Sequence, residues 1–169
     1  AGANDFLFDA MAGKTAILEA AAVAIGTFLY SMKGINYGLK RTDAHNKYFN
    51  MGSSIDIQPQ YPVEVQAGGI VDGKRIRWER TLNSENGKTT VIGAKDMTLI
   101  SEQYRNRMMK GDLSLRMPIV AYYGTGRLWD YHREKKIDTF RRSNRSNGYI
   151  DCLDGTANVK LMLNWFKNM

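Results

Sequence analysis

The stretch Ala12-Gly13-Lys14-Thr15-Ala16-Ile17-Leu18-Glu19-Ala20 decides how this chain is read. A Gly-Lys-Thr followed at once by an apolar helix has the order of the second half of a phosphate-binding loop. Gly13 would let backbone N–H groups approach a phosphate, and Lys14 would bring a cation to the β/γ-phosphates. The Thr15 hydroxyl could ligate Mg²⁺, and the helix would aim the positive end of its dipole at the anion. The full pattern, G-x-x-x-x-G-K-[ST], places another glycine five residues before Gly13, where Phe8 stands. The same tripeptide also suits the solvated first turn of an ordinary N-terminal helix.

From Lys14 to Tyr30 the chain is apolar nearly all round, interrupted by Lys14, Glu19 and Gly26. Such a helix is expected to be buried. It is shorter than the about 20 apolar residues of a membrane span, and it lacks a leader's cleavage pattern. The expectation is a helix packed against a sheet, with no membrane.

The 169 residues can bury one core. Lys and Arg outnumber Asp and Glu by 24 to 17, for a net charge of +7, which favours a polyanionic partner such as nucleic acid. The single cysteine, Cys152, excludes an internal disulfide framework and suits a reducing, cytoplasmic setting. With His45 and His132 far apart, no zinc pattern exists. Cys152 reads as a small apolar residue rather than a nucleophile.

Residues 31–60 are polar and glycine-rich and read as loop with at most one short helix. Alternation begins at Val63-Glu64-Val65-Gln66-Ala67, and Asp72-Gly73 signals a hairpin turn into a strand with Ile76, Trp78 and Arg80. Asn86-Gly87 signals another turn, leading into Thr89-Thr90-Val91-Ile92, so 62–92 is predicted to be an antiparallel meander of about three strands. Residues 95–110 are predicted to be helical, with Met97, Ile100, Tyr104 and Met108 on one stripe. Met117 to Tyr123 reads as a buried strand opening into Gly124-Thr125-Gly126-Arg127, where Arg127 could meet a phosphate or simply lie in solvent. Residues 127–145 interleave basic side chains, among them Arg141, Arg142 and Arg145, with Trp129, Tyr131 and Phe140. That mixture is either a nucleic-acid grip or a solvated connector. Asp154-Gly155-Thr156 can cap a last helix with an apolar stripe of Val159, Met162, Leu163, Phe166 and Met169.

Taken together, Gly13-Lys14-Thr15-Ala16-Ile17-Leu18-Glu19-Ala20, Met117 to Trp129, Ser146 to Asp154 and Asn164 to Met169 resemble one family. It is the group of AAA-type ATP-binding proteins with an ABC/SMC/RecF-like head, to which the overcoming-lysogenization-defect proteins and Septu-type anti-phage ATPases belong. The resemblance covers roughly 12–30 and 78–169. It implies an α/β fold, a partial P-loop NTPase head with core strands, mostly parallel, around a buried P-loop helix, and an antiparallel β lobe. The single domain over 1–169 would divide into the loop remnant and helix (12–30), the lobe (62–92) and a core strand, basic connector and C-terminal helix (117–169). The resemblance further implies ATP and Mg²⁺ as cofactors, paired heads as a homo-oligomer, action on or near DNA in repair or phage defence, and a nuclease partner protein. Gly13, Lys14 and Thr15 would carry the nucleotide, with Thr15 on the metal.

The chain departs from that family in ways that bear on catalysis. Phe8, Ala10 and Met11 replace the usual glycine, asparagine and glycine, and no apolar run ending in Asp-Glu and no Ser-Gly-Gly signature follows. Hydrolysis needs those groups, so the chain reads as the N-terminal portion of a head and a poor hydrolase by itself. The alternative is a nucleic-acid-binding or dimerisation module whose nucleotide loop is degenerate.

Overall fold

The computed structural model describes residues 3–32, 37–52, 54–124 and 145–154. The order of elements is α1 (Ala3–Gly26), β1 (Asn46–Asn50), β2 (Ile55–Pro59), β3 (Val63–Val71), β4 (Lys74–Leu82) and α2 (Lys95–Met109). Short 3-10 turns at Arg41–Asp43, Ile92–Ala94 and Arg145–Tyr149 complete it. Among the described residues β1 pairs only with β2, and β3 only with β4, each antiparallel. The fold is mixed α and β, and among the described residues there is no parallel sheet.

The β3–β4 hairpin follows directly from the sequence. Asp72 and Gly73 take φ of 52° and 76°, the left-handed pair that a two-residue turn needs to match the twist of its strands. The turn sets the register, with Ala67 opposite Trp78 and Val65 opposite Arg80. Period-two alternation then sends Val63, Val65, Ala67, Ile76, Trp78, Arg80 and Leu82 inward, while Glu64, Gln66, Arg75 and Arg77 face solvent. The third strand of the meander does not form as a strand. The Asn86-Gly87 turn closes with Gly87 N–H donating to the Ser84 carbonyl, and Thr90 N–H bonds the Thr81 carbonyl at 2.8 Å. That single bond lays 89–91 along β4 without building a ladder.

The segment expected to be loop, 31–60, instead holds β1 and β2. Their strands meet through a turn at 51–54, where Met51 N–H donates to Ser54 O and Gly52 has φ of 85°. Almost every side chain of this hairpin is exposed, Tyr48, Ile55 and Ile57 included.

α2 matches its predicted span, with Met97, Ser101 and Met108 buried. It ends at Gly111 (φ 74°), where Gly111 and Asp112 N–H groups return to the carbonyls of Met108 and Arg107 and satisfy the last turn. The Asp112 carboxylate then pairs with Arg107 at 2.8 Å and accepts from Ser114.

The core lies where the C-terminal half of α1 meets β4 and α2. Ala22, Phe28, Leu29, Met32, Met97, Tyr149 and Leu153 form its centre, and Trp78, Tyr104 and Val120 pack around it. The Phe28 and Tyr104 rings meet edge to face at 5.1 Å. The Trp78 indole N–H donates to the Ala24 carbonyl at 3.1 Å and so ties the hairpin to α1. Each large apolar side chain fully buried here is worth about 1.5–3 kcal/mol, which is why α1 is held from Ala22 onward. The expectation of a helix buried throughout is corrected. Ile17 and Leu18 are 70% and 55% exposed, whereas Ala22, Val23 and Ala24 further along the helix are buried.

Candidate functional site

The residues from which a phosphate site was expected lie inside α1, not in a loop ahead of it. α1 runs unbroken from Ala3 to Gly26, so Gly13, Lys14 and Thr15 sit about three turns in. The expectation that the helix starts at Lys14 behind a tight bend is thereby corrected. The physical reason lies in residues 3–12. Asn4-Asp5-Phe6-Leu7-Phe8-Asp9-Ala10-Met11-Ala12 has no glycine or proline to stop a helix, and Phe8 stands where a glycine would break it.

This has a consequence for anion binding. Inside an α-helix each N–H is committed to the carbonyl four residues back, so the N–H groups of Gly13 to Thr15 do not form a cradle in this conformation. Two local facts still suit an approaching ligand. Apart from its chain neighbours and the helix's own backbone, nothing lies within 4 Å of where a Cβ on Gly13 would be, and the Thr15 side chain is exposed. The Lys14 side chain lies outside what the structure describes.

One turn further along, Glu19 faces a group of phenols. The Tyr37 hydroxyl is pushed up to about 12, first by burial, then by Tyr122 and by the carboxylates of Glu19, Asp154 and Asp43. The Tyr122 phenol is raised by burial and by Glu19. Tyr122 is delivered by the 117–124 segment, expected as a buried strand. That expectation is corrected: the segment forms no strand, Tyr122 N–H donates to the Cys152 carbonyl at 2.8 Å, and Ile119 is 98% exposed. Pro118 has no N–H for a ladder, and the Pro118 carbonyl is taken by the Tyr149 hydroxyl.

Arg127, Arg141 and Arg142 lie outside the described residues, as does the expected C-terminal helix. Arg145 is described. Its guanidinium donates to the carbonyls of Asp112 (2.8 Å) and Leu115 (2.6 Å), fastening the segment after α2 to the Arg145–Tyr149 turn. Cys152 is a free thiol pushed up to about 11, chiefly by burial, which makes it a poor nucleophile. Among the described residues no three His, Cys, Asp or Glu side chains gather to hold a metal, so a Mg²⁺ ion would have only the Thr15 hydroxyl from the predicted set.

Arg80 has a role that the sequence reading did not assign. It is 1% exposed. Its Nε donates to the Thr90 carbonyl at 2.9 Å, its Nη1 to Thr27 Oγ1 at 3.1 Å, and its cation lies 5.8 Å from the Tyr30 ring centroid. Burial pulls its pKa down. Among the described residues no carboxylate pairs with it. The signal was present: the alternation that sends Ile76 and Trp78 inward sends Arg80 with them.

No described helix is long and apolar enough to cross a membrane. Comparison with protein-family models matches residues 12–168 to the AAA domain. Comparison with curated proteins finds no match.

Proposed function

The chain belongs to the AAA domain family, an ATPase-type family of nucleotide-binding domains, and on that premise we propose that it binds ATP with Mg²⁺ at Gly13, Lys14 and Thr15. The observation that carries this reading is the span of the family match, which begins at Ala12, on the threshold of the Gly-Lys-Thr. Thr15 exposure and the open space at Gly13 support it. Because the N–H groups there are spent within α1, binding requires the turns ahead of Lys14 to open so that the helix begins at the phosphate.

The finer reading is an ABC/RecF-like head, working as paired heads in DNA transactions or phage defence in a cytoplasmic setting. The net charge of +7 and the single cysteine support it. No apolar run ending in Asp-Glu occurs in the 169 residues, so they bind nucleotide without turning it over.

Fluorescent ATP titrated into the chain with and without Mg²⁺ is the test. Saturable Mg²⁺-dependent binding, weakened at least about tenfold in Lys14→Ala, is the expected result. Absence of binding rejects the site. Robust turnover that is lost in Lys14→Ala rejects the claim of incompetence. Dimerisation followed by light scattering with and without ATP tests the paired heads, and a mobility shift across a salt series tests DNA.

A further inference from the structure

At the C-terminal end of α1, about 18 Å along the helix axis from Gly13, α1, the β3–β4 turn, α2 and the 116–120 segment line a cleft of about 460 Å³. That lies within the roughly 300–1,000 Å³ of ligand pockets. Its walls are apolar, formed by Phe28, Val71, Trp78, Met97, Met117 and Val120. Two charged groups of opposite sign line it as well. Asp72 is held there by the left-handed turn and, among the described residues, has a long 3.5 Å contact from the Tyr104 hydroxyl. Arg116 has no hydrogen-bond or ion-pair partner among the described residues. Both residues are solvent-exposed at the rim of the cleft, and among the described residues they form no ion pair with each other.

We propose that this cleft is a binding site for a small aromatic amino acid, separate from the nucleotide stretch. The ring would occupy the apolar interior against Trp78 and Phe28. The ammonium group would meet the Asp72 carboxylate, and the ligand carboxylate would take the Arg116 guanidinium, which suits planar bidentate recognition. A purely anionic ligand would be repelled by Asp72 and a purely cationic one by Arg116, so the pair of charges selects the zwitterion.

The test uses the full chain, calorimetric titration, and three probes: L-phenylalanine, 3-phenylpropionate and 2-phenylethylamine. L-phenylalanine is expected to saturate one site and to bind at least about tenfold more tightly than either mono-charged probe. Arg116→Gln should abolish its advantage over 2-phenylethylamine. Asp72→Asn should abolish its advantage over 3-phenylpropionate, and asparagine keeps the left-handed turn intact. Binding should be unchanged by saturating Mg²⁺ and ATP, so loss of nucleotide binding leaves this inference standing. No saturation with L-phenylalanine at millimolar concentration, equal affinity for all three probes, insensitivity to both substitutions, or displacement by ATP would each overturn it.

Discussion

Arg80 shows what a single side chain can hold together. Its guanidinium reaches Thr27 just past α1 and the Thr90 carbonyl beside β4, so one residue joins three parts of the chain. Arg80→Ala would leave a cavity and take the donor from the Thr90 carbonyl and from Thr27 Oγ1, whose hydroxyl keeps its bond to the Val23 carbonyl, at about 2–5 kcal/mol. Arg80→Met keeps most of the volume and removes the buried cation, so it should cost clearly less. Urea midpoints of the two variants check the order, and an alanine variant as stable as the methionine one would contradict it. Asp112 makes a pH-dependent contribution. Hydrogen bonding from Ser114 and the Arg107 guanidinium hold its carboxyl down at about 2. A depressed folded value means that its contribution is full above the free carboxylate range near pH 4 and is lost as pH falls toward 2. Between those limits the wild type should lose more thermal stability than Asp112→Asn, and equal losses would show the Asp112 carboxylate's bonds to Arg107 and Ser114 to be idle.

At the level of elements, legibility tracked the strength of local rules. The β3–β4 hairpin could be read because Asp72-Gly73 and strict alternation point the same way. α2 could be read because Met97, Ile100, Tyr104 and Met108 recur at helical spacing. β1–β2 could not, because Asn46-Lys47-Tyr48-Phe49-Asn50 does not alternate and its hairpin buries almost nothing that a pattern would betray. The start of α1 was missed for a different reason. The Gly-Lys-Thr motif implies a break, whereas the propensity of the preceding residues continues the helix, and the structure follows propensity. Substituting Gly13 separates these influences. With open space around it and helical backbone, Gly13→Ala should raise stability by about 0.5–1 kcal/mol. It should at the same time weaken ATP binding, since the turn must open to receive a phosphate. Circular dichroism melts and the nucleotide titration, run on one preparation, check both halves. A variant that melts earlier would argue for a bend at Gly13.

Over the whole molecule, stability is unevenly spread. The α1–β4–α2 core is dense, while β1–β2 stands as a two-stranded sheet with exposed faces, the kind that is marginal by itself in water. Hydrogen exchange should therefore protect the amides of β3–β4 far longer than those of β1–β2. Equal protection would mean that something covers the first hairpin. The candidate nucleotide stretch was legible as sequence, but its geometry was not, because whether three residues form a cradle depends on the conformation of the ten before them. The cleft beyond Phe28 was illegible for the opposite reason, since its walls come from four separate stretches of chain.

The Trp78 indole, bonded to the Ala24 carbonyl, gives the joint between hairpin and helix an optical signature. In a chain with Trp129→Phe and Trp165→Phe, all indole emission would come from that one place. A red shift during heating would time the moment when hairpin and helix separate. Its coincidence with the loss of helical ellipticity, or its lag behind it, would tell whether the two melt as one body.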